Sequence, residues 1–287
     1  MKILLTGRTG QVGYELERSL QSLGEIVAVD RSQMDLSNLD QVRDVIRQVR
    51  PALIINPAAY TAVDLAESEP DLAMRINAEA PAVMAEEAKK LGAAMIHYST
   101  DYVFDGTKRT PYVENDPTCP INVYGRTKLA GEQAIQAIGI NHLILRTSWI
   151  YGMRGKNFLL TVLRLAQQRD ELRIVADQYG TPTWCRTIAD TTAHVIAQGQ
   201  NSRDWWQEKS GVYHLTAQGQ TTWGGLTEAI LMNAALPKKP SVKGITTREY
   251  PLPAKRPGYS VMSCEKLMNA TQIGLPTWEK ALQLCQS

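Results

Sequence analysis

Tyr124 and Lys128 stand four residues apart in the run Asn122-Val123-Tyr124-Gly125-Arg126-Thr127-Lys128. On a helix this spacing sets both side chains on one face, about one turn from each other. A free phenol ionises near pH 10 and exchanges protons sluggishly at neutral pH, and a neighbouring ammonium favours its phenolate. Bringing the phenol to about 7 takes roughly 4 kcal/mol of differential stabilisation, which a partly desolvated lysine and a bound cationic nicotinamide together can supply. The pair reads as a proton donor and the group that tunes it. Spacing alone is weak evidence, because two solvent-facing helix residues often share it by chance. The companions of the pair decide.

The first companion is the turn Gly7-Arg8-Thr9-Gly10-Gln11-Val12-Gly13, which follows an apolar strand-like run and opens a helical pattern. Gly7 allows a tight turn, Gly10 lets backbone approach a pyrophosphate, and Gly13 lets helix and strand pack closely. Asp30 lies 17 residues past Gly13 at the end of the second apolar run, where a carboxylate takes the adenosine ribose hydroxyls. Arg31 beside it suits a 2′-phosphate, so NADPH and NADH both stay open. Small residues at Ala58 and Ala59 follow the third run, after Asn56-Pro57, and let a flat cofactor lie against the backbone. Ser99-Thr100-Asp101-Tyr102 ends the fourth, at the sheet edge where doubly wound folds bind ligands. A hydroxyl at Thr100 can hydrogen-bond a substrate carbonyl, and Asp101 can hold a sugar hydroxyl or support proton transfer. Each also has an ordinary structural role as strand end, turn or cap.

Near-continuous apolar runs at 3–5, 26–29, 53–55, 95–98 and 143–145 predict strands buried on both faces. Amphipathic stretches at 12–23, 39–49, 72–91 and 124–138 predict helices between them. The alternation implies βαβ units in an α/β, doubly wound parallel sheet of the Rossmann type. Asp71 after Pro70 is expected as an N-cap, and Gly92 as a C-cap. After Trp149 the texture loosens into Gly, Pro, Thr and Trp. Residues 152–175 and 204–287 are expected to form a smaller, mixed α/β substrate domain. The dinucleotide-binding domain is expected to comprise 1–151 and 176–203, with the helix at 188–198 packing back on it. Trp205-Trp206 is expected in a loop or interdomain contact, and Trp223 and Trp278 as anchors of the small domain.

The chain of 287 residues is long enough to bury a sizeable core, and its net charge of +2 comes without a basic tract or acidic tail. No electrostatic case for nucleic acid or a membrane surface arises. Four scattered cysteines without a C-x-x-C pair suit reduced thiols, and no metal constellation is evident. Met1 runs directly into a strand-like segment with no signal-like apolar stretch. A cytoplasmic protein is expected.

Together these motifs resemble the extended short-chain dehydrogenase/reductase family over the whole chain. Within it the closest pattern is that of members reducing a dTDP-linked keto-sugar. That pattern rests on residues 97–106, 122–132, 146–152, 157–158, 177–183 and 256–257. The resemblance implies hydride transfer from NADPH or NADH to the 4-keto carbon of dTDP-6-deoxy-L-lyxo-4-hexulose. Tyr124 is then the proton donor, Thr100 the hydrogen-bonding partner of the keto oxygen, and Lys128 the ligand of the nicotinamide ribose. It adds Gln11, Val12, Asp35, Leu36, Tyr60 and Tyr98 to the cofactor-lining residues. Asp101, Trp149, Asn157 and Arg256 are implied substrate contacts, Arg256 near the diphosphate. A monomer or homodimer is implied. Two alternatives stand beside this reading. One is another nucleotide-sugar epimerase or dehydratase of the same fold; Tyr102 rather than a glutamate after Asp101 counts against a dehydratase. The other is a non-catalytic regulatory subunit resembling the beta subunit of methionine adenosyltransferase. The intact Thr100, Tyr124 and Lys128 argue against that role.

Overall fold

The computed structural model describes residues 1–200 and 202–287. Among these residues β1 (Lys2–Leu5), β2 (Glu25–Ala28), β3 (Leu53–Asn56), β4 (Ala94–Thr100) and β5 (His142–Thr147) form one sheet. After β6 (Glu171–Val175) comes β7 (Gly211–His214), which joins the same sheet, so that the order is β2-β1-β3-β4-β5-β7, parallel throughout. From β1 the chain steps outward to β2 and then returns to β3 on the other side. The strand order therefore reverses between β1 and β3, and that switch point opens a crevice at the carboxyl ends of the strands.

Strand alternation divides the core between the two faces of the sheet. Ile3, Leu5, Ile55, Ile96, Tyr98 and Leu145 point to one side, where α1 (Gln11–Ser19) adds Val12 and Leu16. Leu4, Ile54, Met95 and Ile144 point to the other. There they meet α2 (Leu39–Val49), α3 (Ala80–Leu91) and α4 (Val123–Ile138). After α5 (Phe158–Ala166), α6 (Cys185–Gly199) returns to pack Ile188, Ala189 and Ile196 beside α1 on the first face. A separate apolar cluster unites α5, β6, α7 (Trp223–Asn233) and α8 (Trp278–Gln286) around Leu159, Leu172, Ile230 and Trp278. There β6 pairs in parallel with β8 (Ser241–Ile245).

The first five strands and α2 fall where the apolar periodicity sets them, and Gly92 ends α3 with φ +66. Four details differ. Asp71 is not a cap: Glu69 is the capping position, Pro70 takes the first helical place, and Asp71 lies in the first turn. The predicted helix at 72–91 is interrupted by a π-turn at Arg75–Glu79, through which Asn77 reaches Tyr60. Gly211–His214, expected in the smaller unit, lends the sheet its edge strand, so residues 204–287 do not lie wholly apart from it. Trp205 and Trp206 sit on a short helix, where Trp206 Nε1 donates to the Gly199 carbonyl at 2.9 Å. Among the described residues no helix is long and apolar enough to cross a membrane.

Candidate active site

The crevice begins where β1 turns into α1. Gly7 takes φ +60, in the left-handed region that a side chain would strain. A Cβ at Gly13 would stand 2.1 Å from the Gly7 carbonyl oxygen, so helix and strand pack this closely only with glycine. At Gly10 a Cβ would approach just that same oxygen, at 3.3 Å, and its outer side is open. Among the described residues no side chain caps α1, so the N–H groups of its first turn remain available at the positive end of the helix. Ala58 forms the opposite wall, 3.0 Å from the place a Gly7 Cβ would take. An open cradle of backbone donors is what a pyrophosphate requires.

Asp30 lies beyond β2, beside the turn, where Arg8 N–H donates to the Val29 carbonyl at 3.2 Å. Its carboxylate accepts from the Ser32 backbone and hydroxyl, at 2.8 and 2.6 Å, which holds its pKa below the ordinary carboxylate value. Arg31 reaches Asp35 at 3.3 Å and is otherwise exposed. Asp35 also accepts from Ser37, and Leu36 is buried against α2 and α3. These residues form a folded turn at the β2 end of the crevice.

Further along the crevice β4 ends at Thr100. Its hydroxyl accepts from the Tyr102 N–H at 3.1 Å and donates to the Asp101 carboxylate at 3.0 Å. Asn122 caps α4 by accepting from the Gly125 N–H at 2.8 Å. Gly125 is needed because a Cβ there would meet the Tyr102 carbonyl oxygen at 2.2 Å. This close approach brings Tyr124 to Thr100, whose hydroxyl favours its phenolate, and stacks Tyr102 edge-on against it at 5.7 Å. Burial dominates all the same and pushes the Tyr124 phenol up to about 12, with Asp101 adding to the rise. Burial also lifts Asp101 to about 6.

Lys128 is buried and lies one turn along α4. Its Nζ donates to the Tyr98 carbonyl at 2.6 Å and lies 3.2 Å from His97 Nε2. Burial draws it down to about 8, against the pull of Glu132. The expected depression of the phenol by this lysine is therefore not the state of this structure. A shared helix face does not fix where a four-carbon side chain ends, and this one ends on the strand beneath.

A family profile described as the RmlD substrate binding domain matches residues 1–287. A dTDP-4-dehydrorhamnose reductase of Burkholderia thailandensis is 48% identical, covering 99% of this chain and 98% of its own. The chain belongs to the dTDP-4-dehydrorhamnose reductase family. Among solved structures, the Clostridium acetobutylicum member superposes with a TM-score of 0.91 at 37% identity, covering 99% of this chain and 98% of its own. The Bacillus anthracis member, solved in complex with NADP, has a TM-score of 0.90 at 35% identity, covering 99% and 98%.

Within this family fold, several predicted contacts are occupied by other partners. Asn157 caps α5, and its amide donates to Gln11 Oε1 and the Gly152 carbonyl, both at 2.8 Å. It ties α5 to the glycine turn. The Tyr98 hydroxyl pairs with Thr192 of α6 at 2.7 Å, on the sheet face opposite Lys128. Tyr60 donates to Glu69 at 2.7 Å. Trp149, at φ +45, stacks flat on Trp223 with centroids 3.5 Å apart. Arg256 forms a two-pronged ion pair with Asp64, at 3.0 and 2.8 Å. Asp64 and Ser260, which lies beside Asp101, escaped the sequence reading, whereas Tyr102 was read only within the Thr100 block and Trp223 only as an anchor of the small domain. Asp64 carried no signal, because its partner Arg256 lies 192 residues away.

Proposed function

We propose that the chain reduces the 4-keto group of dTDP-6-deoxy-L-lyxo-4-hexulose to dTDP-L-rhamnose, with NADPH or NADH as reductant and Tyr124 as proton donor. The observation that carries this reading is the half-buried Tyr124 at the start of α4 meeting the buried Thr100 at the end of β4, beside a glycine cradle, in a chain matched along its length by a reductase family. The residues around the crevice suit a dinucleotide: Gly7 to Gly13 for the pyrophosphate, Ala58 and Ala59 for its flat ring system, Asp30 or Arg31 for the adenosine ribose. Bound there, the cofactor supplies the hydride. Thr100 holds the keto oxygen against Tyr124, whose phenol gives up its proton as negative charge develops on that oxygen. A phenol raised to about 12 is fully protonated at neutral pH and so is loaded as an acid. Lys128 contributes positive charge close by, where burial strengthens its effect.

In this reading residues 1–151 and 176–203 form the dinucleotide domain and residues 152–175 with most of 204–287 the sugar-nucleotide domain. Asp101 and Trp149 meet the sugar, and Arg256 the diphosphate. The test follows loss of NADPH and NADH absorbance with the dTDP-4-keto-6-deoxy-L-sugar, in wild type and Tyr124→Phe. The substitution should cost about 10²–10⁴ in turnover and leave cofactor binding nearly intact. Near-wild-type turnover in the variant would remove Tyr124 from the role.

A further inference from the structure

On the sheet face covered by α4, the strands turn from apolar to polar near their carboxyl ends. Leu4, Ile54 and Met95 are followed, at the next positions facing the same way, by Thr6, Asn56 and His97. All three polar residues are buried and are linked to Lys128 in one chain. Thr6 Oγ1 lies 2.6 Å from Asn56 Oδ1, Asn56 Nδ2 lies 3.1 Å from His97 Nδ1, and His97 Nε2 lies 3.2 Å from Lys128 Nζ. Lys128 closes the chain on the Tyr98 carbonyl.

A neutral imidazole has one donor and one acceptor nitrogen. With Asn56 Nδ2 donating to Nδ1, the ring proton sits on Nε2 and is donated to Nζ, which accepts only as a neutral amine. The amine still donates to the Tyr98 carbonyl. An ammonium instead donates to Nε2. The ring proton then sits on Nδ1, and the Asn56 amide turns its oxygen to receive it, with the Thr6 hydroxyl able to accept as well as donate. In both arrangements each polar atom of the chain keeps at least one hydrogen-bond partner.

We propose that His97 is a positioning residue for Lys128, a partner that fits the lysine both as ammonium and as amine, so that this buried side chain can change protonation without orphaning a polar atom. This deepens the reading of Lys128 given above. An apolar residue at 97 would leave the ammonium with the Tyr98 carbonyl alone in a site closed to water. The charged and titratable groups around the pair are few. On α4 they are Tyr124 and Glu132, the latter held by both prongs of Arg146 from β5 at 2.9 and 2.6 Å. Asp101 follows β4, and Glu87 of α3 is engaged by Arg47 and Lys90. From β1 and β3 the facing groups are the neutral Thr6 and Asn56. Burial and the lysine charge hold His97 itself well below the ordinary imidazole value, so it remains neutral while Lys128 titrates.

The test reads Lys128 directly in the cofactor-free full chain. ¹³Cε-lysine-labelled protein is titrated by NMR, with the Lys128 signal assigned by its loss in Lys128→Arg. In His97→Leu the ammonium loses an acceptor, and the midpoint should fall by at least about one pH unit. In His97→Gln, whose amide can present either its oxygen or its nitrogen, it should stay within about half a unit of wild type. A Leu variant that melts cooperatively and titrates with wild type overturns the proposal. Should the Leu variant not fold, Asn56→Asp replaces it. A fixed acceptor at Nδ1 pins the ring proton there and should move Lys128 upward; an unmoved midpoint overturns the proposal equally. Turnover is measured separately: shifted midpoints in a chain that reduces no keto-sugar would leave this proposal standing and sink the functional reading.

Discussion

Asp101 carries a carboxylate in a place that disfavours one. It is 2% exposed; one oxygen accepts from the Thr100 hydroxyl, and the other has no hydrogen-bond partner among the described residues. Burial raises its pKa to about 6, although Ser260 and Thr100 pull the other way. The folded chain thus holds this proton more tightly than the unfolded chain, whose carboxyl keeps the ordinary 3.8. That contribution to stability is complete below pH 4, declines as pH rises through about 6, and is gone above. Its full span is about 3 kcal/mol. Asp101→Asn cannot ionise, so thermal melts should show the variant gaining on wild type between pH 4.5 and 7.5. A gap that stays constant over this interval would mean that Asp101 does not hold its proton in the fold. At this scale the proximity of two motif residues was legible: the structure sets Tyr124 beside Thr100. The destinations of long side chains were not. Spacing sets the face on which Lys128 and Asn157 start, whereas packing sets where their polar ends stop.

Among the elements, the glycine turn tolerates little change. Gly13 and Gly92 are both glycines at the end of a helix, but for different reasons. Gly13 is required by contact, since its Cβ would enter the van der Waals space of the Gly7 carbonyl oxygen. Gly92 is required by conformation, with φ +66 and nothing within 4 Å of where its Cβ would stand. Gly92→Ala should therefore cost about 1 kcal/mol of stability and leave the NADPH dissociation constant unchanged. Gly13→Ala forces β1 and α1 apart, at about 1–3 kcal/mol, and should weaken NADPH binding at least about tenfold by reshaping the cradle. Equal effects of the two substitutions on NADPH affinity would show that the cradle does not depend on this contact. Strand and helix positions were legible because the parallel sheet is buried on both faces and its runs are apolar throughout. The π-turn at Arg75–Glu79 left no pattern, because it is imposed by Asn77 reaching the Tyr60 backbone. Gly211–His214 was expected in the smaller domain; it joins the main sheet by pairing in parallel with β5.

At the scale of the whole molecule, residues far apart in sequence close the site. The segment after β8 crosses the mouth of the crevice. Asn122 Nδ2 donates to the Lys255 carbonyl at 2.8 Å, Ala254 N–H donates to Asp64 at 3.1 Å, and Arg256 grips both oxygens of the same carboxylate. Asp64 draws its binding energy from this guanidinium, which holds its pKa below the usual carboxylate range. If Arg256 receives the diphosphate, as proposed, then Asp64 is its competitor, and the ion pair must open before phosphate oxygens take its place. The pair is only partly buried, at 18% and 36% side-chain exposure, so opening it costs on the order of 1 kcal/mol. Asp64→Asn keeps an acceptor for Ala254 and the shape of the side chain but removes the charge. The KM for the dTDP-keto-sugar should then fall by roughly two- to fivefold, while NADPH binding, at the other end of the crevice, stays unchanged. A higher KM would mean the reverse relation, with Asp64 orienting Arg256 for the substrate rather than withholding it. In either case the effect must appear in the sugar-nucleotide constant and not in the cofactor constant, because Asp64 touches the crossing segment and not the glycine turn.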